Sequence, residues 1–249
     1  GKRLRPLLAL AVFERLGGNA QTLDPMPAAV ALECLHTYSL IHDDLPAMDN
    51  SDLRRGSATC HKAFDEATAI LAGDALLTYP FQLLADHYHP AAPLDGKLVG
   101  ELARASGPTK LIGGQMEDIQ SERSGTCSEN TLHYIQQGKT AALIQCSLLF
   151  GAMLARGDLS TEAEIRKLGL HLGVAFQQID DVLDVSQDTE SLGKPAGLDH
   201  ANDTATSIHF YGIEGTRKKA RENTQAALGC CSRLPGEAGF LEDLINWME

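Results

Sequence analysis

The sequence predicts an all-α, single-domain protein. Alanine and leucine are abundant while clusters of β-branched residues are few, and both lean toward helix. Aromatic residues make up only 5% of the chain, too few for a typical sandwich or barrel core. Apolar residues recur at helical spacing through long segments, and Gly and Pro fall between those segments rather than inside short alternating ones. With 249 residues, 43% of them hydrophobic, the chain is long enough for one large core. No internal repeat divides it, so residues 1–249 read as a single domain.

Taken in order, Leu7 to Leu16 forms a helix that stops at Gly17-Gly18-Asn19, since glycine just past a helix end accepts the left-handed conformation needed there. Pro25 to about Asp44 forms a second helix, with apolar positions near 28, 32, 35 and 39/40, and Pro46 breaks it. Glu66 to Tyr88 reads as a long helix containing Gly73-Asp74. His89 to Asp95, with Pro90 and Pro93, is a loop. Lys97 to Ala105 is helical up to Gly107-Pro108, and Leu111 to Glu122 follows. After a polar linker from Ser124 to Asn130, one helical run extends from Thr131 to Arg156. Thr161 to about Val185 is another. Ser186 to Thr206 is rich in Asp and Gly, with little apolar periodicity, and reads as a mobile loop. Arg217 to Leu228 and Phe240 to Met248 close the chain.

The formal net charge is -12, from 33 acids against 21 bases. That argues against nucleic acid as a partner, because phosphate-backbone binding calls for a surplus of Lys and Arg. Six cysteines (Cys34, Cys60, Cys127, Cys146, Cys230, Cys231) show no C-x-x-C spacing. Reduced thiols in a cytoplasmic protein are the expectation, with Cys34 and Cys146 as small core residues. No uninterrupted run of about 18 apolar residues suggests a membrane span. The abrupt start at Gly1-Lys2-Arg3-Leu4-Arg5-Pro6 leads us to expect a further segment upstream.

Two acidic segments stand out. The first is His42-Asp43-Asp44-Leu45-Pro46-Ala47-Met48-Asp49; the second is Gln177-Gln178-Ile179-Asp180-Asp181-Val182-Leu183-Asp184. Each sits in an apolar helical pattern, where a carboxylate is expensive to desolvate unless a positive charge compensates it. Mg²⁺ suits such oxygen-rich clusters, since it takes one or two carboxylates and fills its other positions with water and substrate phosphate. Asp180 and Asp184 are spaced i, i+4 and share a helix face with Gln177; a cation turns their repulsion into coordination. Asp43 and Asp49 are six apart, too far for one face, but Pro46 favours a bend, and a bend could return Asp49 beside Asp43. They also lie at a helix C-terminus, where the macrodipole disfavours negative charge and a cation removes the penalty.

The bases complete the set. Lys2, Arg3 and Arg5 precede a helix, Arg54-Arg55-Gly56 follow the first acidic segment, and Lys139-Thr140 and His36 lie inside helices. Arg supplies bidentate phosphate contacts and Lys a point charge. Singly, each feature has a plainer explanation: a D-D-x-x-D helix is ordinarily a solvated face, His36 a core histidine, and Gly113-Gly114-Gln115 a close helix contact. Their joint occurrence in order is what points to a metal–diphosphate site.

The segments G-K-R-L-R-P (1–6), H-T-Y-S-L-I-H-D-D-L-P-A-M-D (36–49), D-L-R-R-G (52–56), I-L-A-G-D-A-L (70–76), G-G-Q-M-E-D (113–118), G-K-T-A-A-L-I (138–144), A-F-Q-Q-I-D-D-V-L-D-V (175–185) and L-G-K (192–194) resemble, in order, the short-chain trans-isoprenyl diphosphate synthase family, and within it the bacterial farnesyl diphosphate branch. The resemblance implies an isoprenoid-synthase-type helical bundle around a central cavity, and a homodimer. It implies three Mg²⁺ (Mn²⁺ as a substitute), with Asp43 and Asp49 on two, Asp180 on the third, and Asp44, Asp181 and Asp184 in support. Lys2, Arg5, His36 and Arg55 would bind isopentenyl diphosphate. Arg54, Lys139, Thr140, Gln177 and Lys194 would hold the allylic partner, dimethylallyl or geranyl diphosphate. Ionisation and alkylation would then depend on Asp43, Asp49, Asp180, Arg54 and Lys139. Tyr38, five residues before Asp43, and Ser39, four before, would set product length, and the bulk of Tyr38 favours a C15 product.

Some positions depart from the family pattern. Thr204 stands where a second lysine is usual after Lys194, Ile179 replaces a glutamine, and Asn50-Ser51 dilute an acidic run. A geranylgeranyl diphosphate synthase is the nearest alternative, and a non-catalytic subunit of a synthase complex is an alternative of a different class.

Overall fold

The computed structural model describes residues 1–192, 205–237 and 239–248, and of 186–192 the backbone only. Eleven α-helices account for most of the described residues: α1 (Leu4–Arg15), α2 (Met26–Asp43), α3 (Cys60–Ala63), α4 (Glu66–Tyr88), α5 (Leu94–Ser106), α6 (Leu111–Ser124), α7 (Glu129–Ile135), α8 (Ala142–Leu154), α9 (Leu159–Leu192), α10 (Ser207–Cys231) and α11 (Phe240–Met248). The main neighbours are α2 with α4, α1 with α8, α8 with α9, and α9 with α10. The all-α reading therefore stands, with one small exception in a two-stranded hairpin, β1 (Leu53–Arg54) and β2 (Ser57–Ala58).

Helix α8 is apolar on every side, and all its residues except Gln145 are buried. A helix of that kind belongs at the centre of a bundle. Leu148, Leu149 and Phe150 on α8 meet Leu8 and Val12 of α1, Leu98 and Leu102 of α5, and Ile165, Leu168 and Leu172 of α9 in one core. Tyr88, at the end of α4, is fully buried. Its hydroxyl donates to the Asp24 carbonyl at 2.7 Å and accepts from the Ala28 amide at 3.2 Å, so a buried polar tip is satisfied while it fixes the start of α2 against the end of α4.

Several boundaries differ from the sequence reading. Helix α1 begins at Leu4 rather than Leu7, because Pro6 falls in its first turn, where no amide donor is needed. The run expected from Thr131 to Arg156 is split by a π-helical turn, Gln136–Ala141, between α7 and α8. The expected loop from Ser186 begins as helix, since α9 continues to Leu192. Helix α10 runs from Ser207 to Cys231, longer than the apolar pattern suggested, with Thr206 accepting from the His209 amide as its N-cap. All six cysteines are free; Cys146 is buried and Cys34 half-buried. Among the described residues one helical stretch, Glu66–Ala91, is long and apolar enough by length and composition to cross a membrane, though it carries Glu66, Asp74 and Asp86 and packs along α2.

Candidate active site

A cavity of about 1020 Å³ opens between α1, α2, α4, α6, the π turn, α8, α9 and α11. Its wall carries Asp43 from the end of α2, Asp180 from α9, and Lys139, Thr140 and Gln177 beside them. Lys2, Arg5, His36 and Arg55 line another part of the same wall. The apolar lining comes from Leu77, Leu111, Ile112, Leu143 and Phe176, with Tyr38 and Ser39 on α2. A polar, doubly charged mouth joined to an apolar body suits an amphiphile with an anionic head.

The chain after α2 folds back as its proline requires. The Asp49 amide donates to the Asp43 carbonyl at 2.9 Å, and the Ser51 amide to the Asp44 carbonyl at 3.2 Å. The bend thus returns Asp49 to the end of α2 beside Asp43. Burial raises the Asp43 carboxyl to about 6; Lys139 opposes this, while Asp49 adds to it. Asp49 is also raised, by burial first, with Lys139 again opposing and Asp118 reinforcing. Lys139 is the counter-charge. Burial works against its ammonium, yet Asp118, Asp43 and Asp49 outweigh that and hold its pKa above the ordinary value.

The π turn is what delivers Lys139. A Cβ on Gly114 of α6 would lie 2.4 Å from the Lys139 amide nitrogen, so only glycine allows α6 to approach this closely. One turn on from Gly114, Asp118 accepts a hydrogen bond from the Lys139 ammonium. Widened helical turns of this kind recur at functional sites. The G-G-Q-M-E-D segment therefore has the packing role its glycines suggested. Asp118 was missed from sequence, although its place one turn after Gly114 was the available signal.

The hairpin sorts its two arginines. Its two-residue turn, Arg55-Gly56, has φ of 54° and 77°, the left-handed pair that matches strand twist. Gly56 takes that conformation freely, whereas Arg55 is held in it at a cost of about 1–2 kcal/mol. Arg54 turns to Asp44, which is 3% exposed, and grips it through Nε (2.8 and 3.0 Å) and a terminal nitrogen (2.8 Å). Arg55 turns to the cavity. Around it the positive charge is dense. Burial, then Arg5, Arg55, Arg54 and Arg3 in turn, press His36 down to about 3, so its ring is neutral. Burial lowers Arg5 to about 10, and its buried Nε has no hydrogen-bond partner. Buried charged donors without partners are costly, and an anion would satisfy them.

On α9, Asp180 is raised by burial and by Asp184 and Asp181, with Lys2 opposing. Asp181 has a structural partner as well. It accepts from the Ser207 amide at 2.8 Å, at the start of α10, and from Gln177 Nε2 at 2.9 Å. With its amide nitrogen so engaged, Gln177 presents its oxygen to the Thr140 hydroxyl at 2.6 Å. Asp184 is exposed.

Of the residues singled out from sequence, Lys2, Arg5, His36, Tyr38, Ser39, Asp43, Arg55, Lys139, Thr140, Gln177 and Asp180 share the cavity wall. Asp44 and Arg54 are turned to each other beside a smaller adjoining pocket of about 250 Å³, and Asp49 stands behind Asp43. Lys194 and Thr204 lie outside the described residues. Glu33, Gln115 and Trp247 also line the cavity and were not anticipated.

Among the described residues no three acidic, histidine or cysteine groups are close enough together to hold a metal by themselves. The donor chemistry nevertheless fits Mg²⁺. Asp43 with Asp49, and Asp180 with its neighbours, offer hard oxygens whose mutual repulsion and burial a cation would relieve, with positions left for phosphate oxygens and water.

The chain is similar to known proteins along its whole length. A farnesyl diphosphate synthase from Micrococcus luteus is 44% identical over 100% of this chain and 84% of its own length. One from Geobacillus stearothermophilus is 43% identical over 91% of this chain and 76% of its own. A chloroplastic geranylgeranyl pyrophosphate synthase from Capsicum annuum is 42% identical over 100% and 68%. Among solved structures, a geranyltransferase from Helicobacter pylori complexed with magnesium and isoprenyl diphosphate matches with a TM-score of 0.84 at 35% identity, over 100% of this chain and 82% of that one. The polyprenyl synthetase family model matches residues 1–235. The shared wall of opposed acids and clustered bases, the helical bundle and these matches have one explanation: the chain is a member of the polyprenyl synthetase family.

Proposed function

We propose that the protein is a Mg²⁺-dependent prenyltransferase that condenses isopentenyl diphosphate with dimethylallyl and then geranyl diphosphate to give farnesyl diphosphate. The observation that carries this reading is the division of one cavity wall into a basic cluster with an orphaned Arg5 Nε and a separate acidic rim of Asp43 and Asp180. Two anionic heads need two such places. Lys2, Arg5, His36 and Arg55 receive the isopentenyl diphosphate, with neutral His36 donating one N–H. Lys139, Thr140 and Gln177 hold the allylic diphosphate, joined by Lys194 and by the free edge of Arg54. Asp43, Asp49 and Asp180 hold the metal, three ions in all, while Asp44, Asp181 and Asp184 support them.

Bound Mg²⁺ supplies Lewis-acid stabilisation of the diphosphate leaving group. Lys139 exchanges its contact with Asp118 for phosphate oxygen as negative charge develops there, which is electrostatic stabilisation by a group already in place. The allylic C1–O bond breaks and C1 joins C4 of isopentenyl diphosphate. A proton then leaves C2 for the departing diphosphate. The apolar wall, Leu77, Leu111, Leu143 and Phe176, keeps water from the cationic carbon. Tyr38 closes the cavity below Asp43, and the Ser39 hydroxyl turns back to the His36 carbonyl at 2.9 Å, so the bulk there is the phenol.

We also place the protein in the cytoplasm as a homodimer. The six free cysteines support a reducing compartment. Helix α4 leaves Ile70, Leu71 and Tyr79 between 43% and 66% exposed, an apolar face suited to a second copy. The test of the main reading is incubation with Mg²⁺, isopentenyl diphosphate and dimethylallyl or geranyl diphosphate, followed by separation of products by chain length. A C15 product that is lost in Asp43→Ala and Asp180→Ala supports it. No condensation overturns it, and a C20 product from the unmodified protein favours the geranylgeranyl alternative.

A further inference from the structure

Helix α4 has a notch at Gly73, and the imidazole of His42 fills it. A Cβ added at Gly73 would lie 2.0 Å from His42 Nε2 and 2.2 Å from Cδ2. The same Nε2 is 3.1 Å from the Ile70 carbonyl, one turn earlier on α4. A carbonyl only accepts, so Nε2 carries the proton and donates, which fixes both the tautomer and the plane of the ring. The opposite side of the ring meets Tyr38, four residues earlier on α2, edge-to-face with centroids 5.5 Å apart and planes at 85°. Tyr38 is 6% exposed, with its ring against the cavity. His42 is therefore wedged between α4 and the residue that closes the cavity.

We propose that His42, seated in the Gly73 notch, is a positioning residue for product length: it holds the Tyr38 ring across the cavity and so limits extension. This rests on the reading of Tyr38 as the cavity floor. An aromatic ring on a two-bond pivot blocks a growing chain only while something prevents it from swinging, and the wedge is the group that does so. The neighbours facing the ring are Ile70, Gly73 and Asp74 of α4 and Tyr38 of α2; Asp74 Oδ1 lies 3.9 Å from Nε2. The notch itself lies off the cavity wall, because Gly73 and Ile70 are on α4 and do not line the cavity, whereas His42 does and directly precedes Asp43.

The test uses the full chain with Mg²⁺, isopentenyl diphosphate and geranyl diphosphate, and reads the ratio of C20 to C15 product for Gly73→Ala, His42→Ala and Tyr38→Ala. The methyl of Gly73→Ala displaces the wedge by pressing on His42, whose ring supplies the three atoms nearest to it, and not on Asp43 or Tyr38. We expect the C20:C15 ratio to rise about two- to tenfold in Gly73→Ala and His42→Ala, the worth of one edge-to-face contact. Tyr38→Ala should raise it further, and His42→Ala added to Tyr38→Ala should change nothing more. If Tyr38→Ala lengthens the product while both wedge variants keep the original ratio, the wedge is refuted and the floor stands. If Tyr38→Ala itself leaves the ratio unchanged, the floor is refuted and the wedge with it. Reduced turnover or lower melting temperature at an unchanged ratio counts against the proposal, since simple loosening of the α2–α4 contact does that.

Discussion

The ionised Asp43 carboxylate destabilises the metal-free fold, because burial disfavours its charged form. Burial raises its carboxyl from 3.8 to about 6. Between those two values the folded protein holds a proton that the unfolded chain has released. Stability therefore falls as pH rises through this window. The penalty is complete above about pH 6 and absent below about pH 4. At about 1.36 kcal/mol per pH unit, the gap caps the penalty at about 3 kcal/mol, and partial solvation of the site brings the expectation to about 1–3 kcal/mol. Asp43→Asn removes the ionisable group at nearly constant shape. In metal-free buffer at pH 8 the variant should be more stable than the unmodified protein by about 1–3 kcal/mol, read as a later urea midpoint. The gain should shrink through pH 6 to 4 and be gone at pH 4. With Mg²⁺ and inorganic diphosphate present the order should reverse, because only the unmodified chain has the carboxylate that binds. A variant no more stable at pH 8, or equally favoured at pH 4 and pH 8, would refute the argument that burial sets this group's charge.

Other expectations follow from the same geometry. Tyr38→Ala opens room for one more five-carbon unit; at about 0.8 kcal/mol per buried CH₂, the added burial favours extension by up to about 4 kcal/mol, and chromatography should find C20 product where C15 predominated. Arg54→Lys trades a three-contact grip on buried Asp44 for a point charge, so unfolding measurements should register a loss of about 1–3 kcal/mol. Leu71→Glu, at a position 66% exposed in the single chain, should leave the fold intact by circular dichroism and halve the particle mass in sedimentation; an unchanged mass removes this face from the interface.

Much of the site can be read along the chain because its parts are local. Asp180 and Gln177 share a face because α9 is a regular helix there, and spacing alone places them together. The all-α class follows from alanine-rich periodicity, and the stop at Gly17 from the conformational freedom of one residue. What the sequence leaves open is decided by contacts between segments far apart. Pro46 announces a bend, but the amide of Asp49 on the carbonyl of Asp43 is what brings the second carboxylate back. The two adjacent arginines of D-L-R-R-G carry the same group; the hairpin turn sends Arg54 to Asp44 and Arg55 to the cavity. Lys139 reads from sequence as a base inside a helix; its partners Asp118, Asp43 and Asp49 come from the π turn that packs against Gly114. The sequence by itself determined which chemical groups the protein carries and which secondary structure bears them, since both depend on residue type and short-range periodicity. Only the tertiary structure decided their charge states and partners, because burial and proximity across the bundle set those, and neither is a property of neighbours in sequence.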